Sequence, residues 1–328
     1  MFFLRKKIFI FFIAVMIVVV LLPAALVGIL RWPRESELKL TGPAIKVYYH
    51  ERDVIEETAL EQYLVGVLAA EMPASFEEEA LKAQAVAART YALKKIENSR
   101  QKPDANHPGA DICTNPNHCQ AWMTTEEMQS RWGVLHYIRY LNKIKKAVAA
   151  TYGQVLTFDG KLIDPVYHAN SGGRTENSES VWKYKIPYLR SVESPWDTEA
   201  PHWKDTKSFT PQELERRLET KISASKQLEL NISGRTESGR AAVVKIGGKS
   251  FTGSELRKLL ELKSTYLNWD VKEGKLFIET KGNGHGVGLS QYGANGMARE
   301  KFGYIDILKH YYTGVKLEQA NYAKKQRN

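Results

Sequence analysis

A chain of 328 residues with 43% hydrophobic and 26% charged residues has material for more than one hydrophobic core. It carries no low-complexity tract or internal repeat, so a disordered or repeat protein is excluded. The formal net charge of +10 suits an anionic partner surface, a membrane face or an acidic cell-wall polymer as readily as nucleic acid.

In chain order, Ile8 to Leu30 is an uncharged apolar run long enough to cross a bilayer, and Arg5, Lys6 and Lys7 precede it as a cytoplasmic anchor. The run exceeds a usual signal-peptide core and shows no small-x-small cleavage site. It predicts an uncleaved single-pass signal anchor, N-terminus cytoplasmic, with the rest of the chain outside the cytoplasm behind the linker Arg31 to Lys39. Such an anchor argues against nucleic acid.

Beyond it the pattern predicts an α+β fold of mixed helices and short strands in two lobes. Residues 1–39 are the tip, anchor and linker; 40–208 plus 272–320 form the main domain. Residues 209–271 form an inserted small α/β lobe, and 321–328 a polar tail. AIKVYYH, between Thr41 and Tyr49, alternates as a strand, and the charged stretch ERDVIEETAL leads from it into a helix.

In that helix Leu60, Leu64, Val67 and Leu68 recur at helical spacing, and three residues further the series lands on Glu71 before Pro73 closes the helix. Desolvation and the negative end of the helix dipole both raise the pKa of an acid so placed, which favours a proton donor. The alternative is a Glu that reaches water at a helix end. Ser75 and Glu78 form a capping-box signature for a second helix, Glu77 to Glu79 suit its first turn, and Ala80, Ala83, Ala87 and Ala88 are small enough for close packing.

After Asn98 a long polar loop holds both cysteines of the chain. His107, Cys113, His118 and Cys119 are two nitrogen and two sulfur donors, the set a tetrahedral zinc ion takes; with four protein ligands such a metal is structural. A Cys113–Cys119 disulfide is the alternative clamp. A helix over Tyr137 to Thr151 and a strand over Val155 to Phe158 follow. A short strand then ends in YHANSGG, where the hydroxyl of Ser171 suits a sugar or the loop itself, and Gly172 and Gly173 admit a close backbone or ligand. Trp182, Tyr184, Tyr188, Trp196 and Trp203 stack on sugars or cover a small core.

The inserted lobe reads as a helix from Thr210 and Pro211 through Leu218, strands around Leu228 to Ile232 and Ala241 to Ile246, and a helix from Ser254 or Glu255 to Leu262. The strand LFIET then enters a loop with glycines at 282, 284, 286 and 288 around His285. It lacks the GxGxxG order and a following Lys, so it is not read as a nucleotide cradle. Helices starting near Ser290 and over Tyr304 to Tyr312 close the chain. No second carboxylate stands out with a placement like that of Glu71.

The ordered blocks AAEMPASFEEEALKAQAVAARTYAL, YHANSGGRTENSESVW and GNGHGVGLSQYGA resemble the SpoIID/LytB family of peptidoglycan lytic transglycosylases, across nearly the whole chain beyond the anchor. The resemblance implies that Glu71, the Glu of the EMP word, is the catalytic acid. It implies a zinc site at His107, Cys113, His118 and Cys119, and two lobes around a glycan-binding cleft. Gln84, Arg89, Tyr167, Ser171, Gly172, Gly173, His285 and Gln291 are then the candidates to hold the glycan or the developing charge. It further implies cleavage of the bond between N-acetylmuramic acid and N-acetylglucosamine with formation of a 1,6-anhydro ring. The glycan strands are expected to be already stripped of stem peptides. The implied setting is engulfment during sporulation, at the mother-cell membrane beside stage II sporulation proteins P and M. A zinc-dependent cell-wall amidase and a non-catalytic peptidoglycan-binding module are the alternative functions.

Overall fold

The alternation of Ile45, Val47 and Tyr49, all buried, makes strand β1 (Ala44–Tyr49). The computed structural model describes residues 40–201, 203–222 and 230–322, together with residues 9, 11–13 and 15–21. The expected span Ile8 to Leu30 lies largely outside these residues, and the linker 31–39 entirely so. No helix among the described residues is long and apolar enough to cross a membrane.

ERDVIEETAL is not a mere lead into the helix. Asp53 adopts a left-handed φ of 53° and turns the chain into β2 (Val54–Ala59), which pairs antiparallel with β1, Ala44 opposite Ala59 and Tyr49 opposite Val54. As an edge strand on the surface, β2 tolerates its acidic residues.

Helix α1 (Leu60–Glu71) follows at once. Leu60, Leu64, Val67 and Leu68 are all fully buried. The helix stops because Met72 precedes Pro73 and is held extended, with ψ 138°. Helix α2 (Glu78–Gln101) buries Ala80, Ala83, Ala87 and Ala88 completely. Its expected Ser75–Glu78 capping box does not form: the N-cap is Glu77, and its backbone N–H is met by the side chain of Asn295, 2.8 Å away. A partner from far along the chain replaces the local cap.

The polar loop contributes β3 (Ile112–Cys113), parallel to β1, with Val47 opposite Ile112 and Tyr48 opposite Cys113. Helix α3 (Thr125–Ala150) begins well before the expected Tyr137, because Thr124 and Glu127 form a reciprocal capping box; Gly133, at φ 67°, interrupts it. Strands β4 (Gln154–Phe158) and β5 (Lys161–Leu162) come next, then β6 (Tyr167–His168).

Strand β7 (Lys204–Phe209), helix α4 (Pro211–Leu218), β8 (Leu230–Arg235), β9 (Ala241–Ile246), β10 (Lys249–Thr252), helix α5 (Gly253–Leu259), β11 (Leu267–Lys272) and β12 (Lys275–Lys281) form two three-stranded sheets, ordered β10-β9-β8 and β11-β12-β7, with their helices. Helix α5 is capped by Thr252, ahead of the expected Ser254, and ends at Leu259. These elements enclose their own core of Phe209, Leu214, Val244, Leu256, Leu276 and Ile278. The sheet β11-β12-β7 takes in residues 204–208 and 275–281, on either side of the expected 209–271 insertion.

Strand β13 (Leu289–Ser290), helix α6 (Gln291–Arg299), helix α7 (Tyr304–Tyr311) and β14 (Lys316–Gln319) complete the order, with β14 pairing onto β4. The larger core gathers α1, α2, the end of α3, α6 and α7, among them Leu64, Leu81, Ile144, Met297 and Tyr311. The architecture is mixed α+β built on several small sheets, and residues 40–328 form one compact unit.

Candidate active site

Glu71 is the last residue of α1, largely buried but not closed off from solvent. Its Oε1 accepts the backbone N–H of Ala121 at 3.1 Å, and the hydroxyl of Tyr167 donates to the same carboxylate. Burial pushes its pKa above the ordinary glutamate value; the Ala121 N–H and the Tyr167 hydroxyl pull only part of the way back. No cation among the described residues joins those two donors. Tyr167 is itself kept protonated by burial, and Gln120 donates to its oxygen at 3.2 Å and to the carbonyl of Ala88 at 3.4 Å. Gln120 and Ala121, which follow Cys119, are site residues that the sequence reading did not single out; their one signal is that adjacency.

Tyr167 reaches Glu71 because β6 and β13 run parallel, Tyr167 opposite Leu289 and His168 opposite Ser290. This pairing brings the YHANSGG and GHGVGLS words side by side. Asn170 and Asn283 exchange backbone hydrogen bonds at 3.0 and 2.7 Å. Gly282, at φ 83°, is required there, since a Cβ would stand 2.6 Å from the carbonyl oxygen of Asn170.

The other expected site residues separate into distinct roles. Arg89 is fully buried and holds Glu61 in two contacts, Nε to Oε1 at 2.9 Å and Nη2 to Oε2 at 2.6 Å. Its remaining donors go to the carbonyls of Val148 and Gln154, so it is a structural cation and not a glycan ligand. Ser171 is likewise closed off: its hydroxyl and N–H both donate to Asp197, so the hydroxyl is not offered to a sugar. Gln84 is fully buried with neither amide atom partnered, and Gln291 is buried at the start of α6. Gly172 packs its backbone against that of Lys281, while at Gly173 a Cβ would meet open space.

His285 accepts the N–H of Val287 on Nδ1 at 3.1 Å and donates to the main chain of Tyr167. It lies against His168 and the partly exposed Trp182, ring centroids 5.4 and 5.3 Å apart. Burial, with Arg257 nearby, lowers its pKa to about 4, so the ring is neutral.

The impression that Glu71 has no rival is corrected by three fully buried acids, Glu61, Glu176 and Asp197. Asp197 accepts from Ser171 and from the hydroxyl of Ser290 at 2.5 Å, and its carbonyl takes the Asn170 amide at 2.8 Å. It ties the SGG segment to the start of α6. Glu176 accepts the hydroxyls of Thr236 and Ser238, and all three acids are sealed inside; Glu71 keeps a path to the surface.

His107, Cys113, His118 and Cys119 converge, their ligand atoms all within 4.8 Å of one another. The two cysteines are free thiols. Sγ of Cys113 and Sγ of Cys119 each stand 3.4 Å from Nδ1 of His118, and Sγ of Cys119 is 3.7 Å from Nε2 of His107. Ligands on a tetrahedral zinc sit about 3.3 to 3.8 Å apart, given bonds of about 2.0 to 2.3 Å. Each ring is also aimed from behind, His107 by Nδ1 on the carbonyl of Ala110 at 3.1 Å and His118 by Nε2 against Asp104 at 3.2 Å. The donor set therefore fits a tetrahedral metal.

A family model described as stage II sporulation protein matches residues 48–158, a span that includes Glu71 and all four quartet residues. The chain is 38% identical over 288 residues to stage II sporulation protein D of Bacillus amyloliquefaciens, covering 88% of this chain and 82% of that protein. This chain belongs to the stage II sporulation protein D family. The Bacillus subtilis (strain 168) member of the family is 39% identical over 285 residues, 87% of this chain and 81% of its own length. A more distant relative, named amidase enhancer in the same organism, is 31% identical over 307 residues and is covered to 40% of its length. Membership makes this a sporulation protein.

Proposed function

We propose that the protein is a membrane-anchored peptidoglycan lytic transglycosylase with Glu71 as its single acid and base. The observation that carries this reading is one carboxylate at the open end of a helix, its pKa raised by burial, with two hydrogen-bond donors and no counter-charge. Protonated Glu71 donates to the oxygen that links C1 of N-acetylmuramic acid to N-acetylglucosamine, and the C1–O bond breaks. The C6 hydroxyl of the same muramic sugar attacks C1 and passes its proton to the Glu71 carboxylate. The product is a 1,6-anhydro ring, and the acid is restored. Hydrolysis in the retaining or inverting manner uses a second carboxylate at the bond; the other fully buried acids are enclosed, Glu61 by Arg89, Asp197 by the hydroxyls of Ser171 and Ser290, and Glu176 by those of Thr236 and Ser238.

In this reading the quartet holds a structural zinc ion, which supplies rigidity to the loop. Cys119 is followed at once by the residues that donate to Tyr167 and Glu71, so ordering the loop sets both donors. A site with four protein ligands leaves no open position for amidase chemistry. Trp182 beside His285 suits stacking on a sugar ring. The glycan strands are proposed to be stripped of stem peptides, and the setting to be the mother-cell engulfing membrane, catalytic part outside the cytoplasm, with stage II sporulation proteins P and M as companions.

Mass spectrometry of glycan strands after incubation with the protein tests the chemistry. Anhydromuramic ends that disappear with Glu71→Gln are the expected result. Reducing ends, or free stem peptides, overturn it.

A further inference from the structure

Helix α3 carries a second surface that the proposed chemistry does not use. Val134 and Leu135 are each 91% exposed and Ile138 is 63% exposed. The other exposed aliphatic residues of the 40–322 region, such as Ile55, Val243 and Leu259, are scattered and far less open, and Tyr184, comparably exposed, lies alone in a different segment. Single exposed apolar residues are ordinary; three aliphatics on one helical turn are not. They sit directly after Gly133, where the left-handed φ of 67° breaks the helix.

The protrusion is built, not frayed. Trp132 packs edge-on to Tyr140 at 5.8 Å and lies 6.4 Å from Tyr137, and His136 stacks on Tyr140 at 5.5 Å. Trp132, Tyr137 and Tyr140 are half-buried against the core and brace the aliphatic tip, while His136 is exposed. Further along, Ile144, Ala147 and Val148 are buried in the core, and Lys143 binds the carbonyls of Ser75 and Phe76. The helix thus runs from an exposed apolar tip to a fixed base.

The chemistry around the tip selects its occupant. Arg131 and Arg139 flank it, and Lys146 lies further along the helix. Aliphatic side chains at the leading edge, tyrosine and tryptophan just behind and cations around them are the order in which a bilayer presents acyl chains, interface and anionic headgroups. A stable protein interface takes about 800 Å² from each partner, more than a convex tip of three aliphatic residues offers. In sequence, only the nine residues from Arg31 to Lys39 separate the folded part from the apolar run.

We infer that the segment Arg131–Arg139 docks on an anionic lipid bilayer, inserting Val134, Leu135 and Ile138 at the headgroup level. The inference rests on the membrane-anchored reading only for the presence of a bilayer nearby. Docking there fixes one orientation of the folded part on the membrane surface.

Residues 40–328 are a compact unit with two cores of their own, so they can be tested without the apolar run. The probe is co-sedimentation with vesicles of phosphatidylglycerol and, separately, of phosphatidylcholine. The expected result is binding to the anionic vesicles that weakens with salt. It should fall at least about tenfold in the double variant Val134→Asp, Leu135→Asp, and Arg139→Glu should weaken it less. Both aspartate positions are exposed, so circular dichroism should remain that of the parent and anhydromuramic product release from soluble glycan should persist. Failure of wild type to bind anionic vesicles, or undiminished binding by the double variant, overturns the inference. So does a dimer, seen by sedimentation velocity, that the double variant abolishes, because the tip's occupant is then a second copy. None of these outcomes depends on whether Glu71 cleaves glycan.

Discussion

Helix α1 carries a buried glutamate near each end, and their surroundings differ in one respect that decides what each does. Glu61 is fully enclosed with Arg89, and it also takes the N–H of Gly153 at 3.4 Å and the hydroxyl of Tyr322 at 2.8 Å. Glu71 has two donors and no cation. Burial with a matched counter-charge gives a structural brace across α1, α2 and the start of β4. Burial without one gives an acid that holds its proton. Position on the helix adds to the contrast, since the carbonyl end at Glu71 favours the neutral form.

The sharpest way to break this contrast is to remove charge at one end and then the other. Glu71→Gln should lower the yield of anhydromuramic ends by about 1000-fold or more, the scale of general acid and base catalysis. The same change should leave the fold as stable or more so at neutral pH. An acid whose folded pKa lies above its unfolded one stabilises the fold only below that pKa, and the contribution is lost as pH rises through it. A Glu71→Gln variant that cleaves within about tenfold of wild type would remove Glu71 from the mechanism.

Arg89→Ala tests the other end. Leaving Glu61 buried without its partner should cost about 3 to 5 kcal/mol in urea unfolding. Replacing both residues, as in Glu61→Gln with Arg89→Met, should recover much of the loss. If Arg89→Ala instead leaves stability unchanged and weakens glycan binding, the pair is not the brace described above.

How far the sequence revealed this contrast depends on the range of the contacts involved. The spacing of Leu60, Leu64, Val67 and Leu68 was enough to mark Glu71, because a helical face repeats over a few residues. It could not mark Glu61, whose partner lies 28 residues on, nor show that Arg89 faces inward. Ser171 misled for a related reason: a hydroxyl beside two glycines looks the same whether it meets a sugar or Asp197, 26 residues later. Locally the sequence offers Ser75 as the cap of α2, while the acceptor that meets the N-cap Glu77 is Asn295, 218 residues away from it. The His and Cys quartet was legible because donor type alone suggests its chemistry; that its loop also presents Ala121 to Glu71 was not.

That last link yields a smaller predicted effect than either charge removal. Cys119→Ser should lower zinc content, measured by atomic emission on purified protein, and reduce hydrogen-exchange protection of the Ala121 amide. Cleavage should fall by about tenfold, consistent with the loss of a supporting interaction near a site. Full zinc content with normal protection would separate the quartet from the active site.

Tyr167→Phe gives the smallest effect and the one with the most specific sign. The Tyr167 hydroxyl lowers the pKa of Glu71 by favouring its ionised form, while burial raises it. Deleting the hydroxyl leaves the larger cause less opposed, so the pKa of Glu71 rises further. Cleavage by a protonated acid declines as pH passes through that pKa, so the alkaline limb of the rate profile should move to higher pH in the variant. A purely structural tyrosine would lower the rate at every pH without displacing the limb. A limb displaced toward lower pH would mean that Tyr167 favours the neutral acid, and the contrast between the two ends of α1 would then need a different account of what keeps the proton on Glu71.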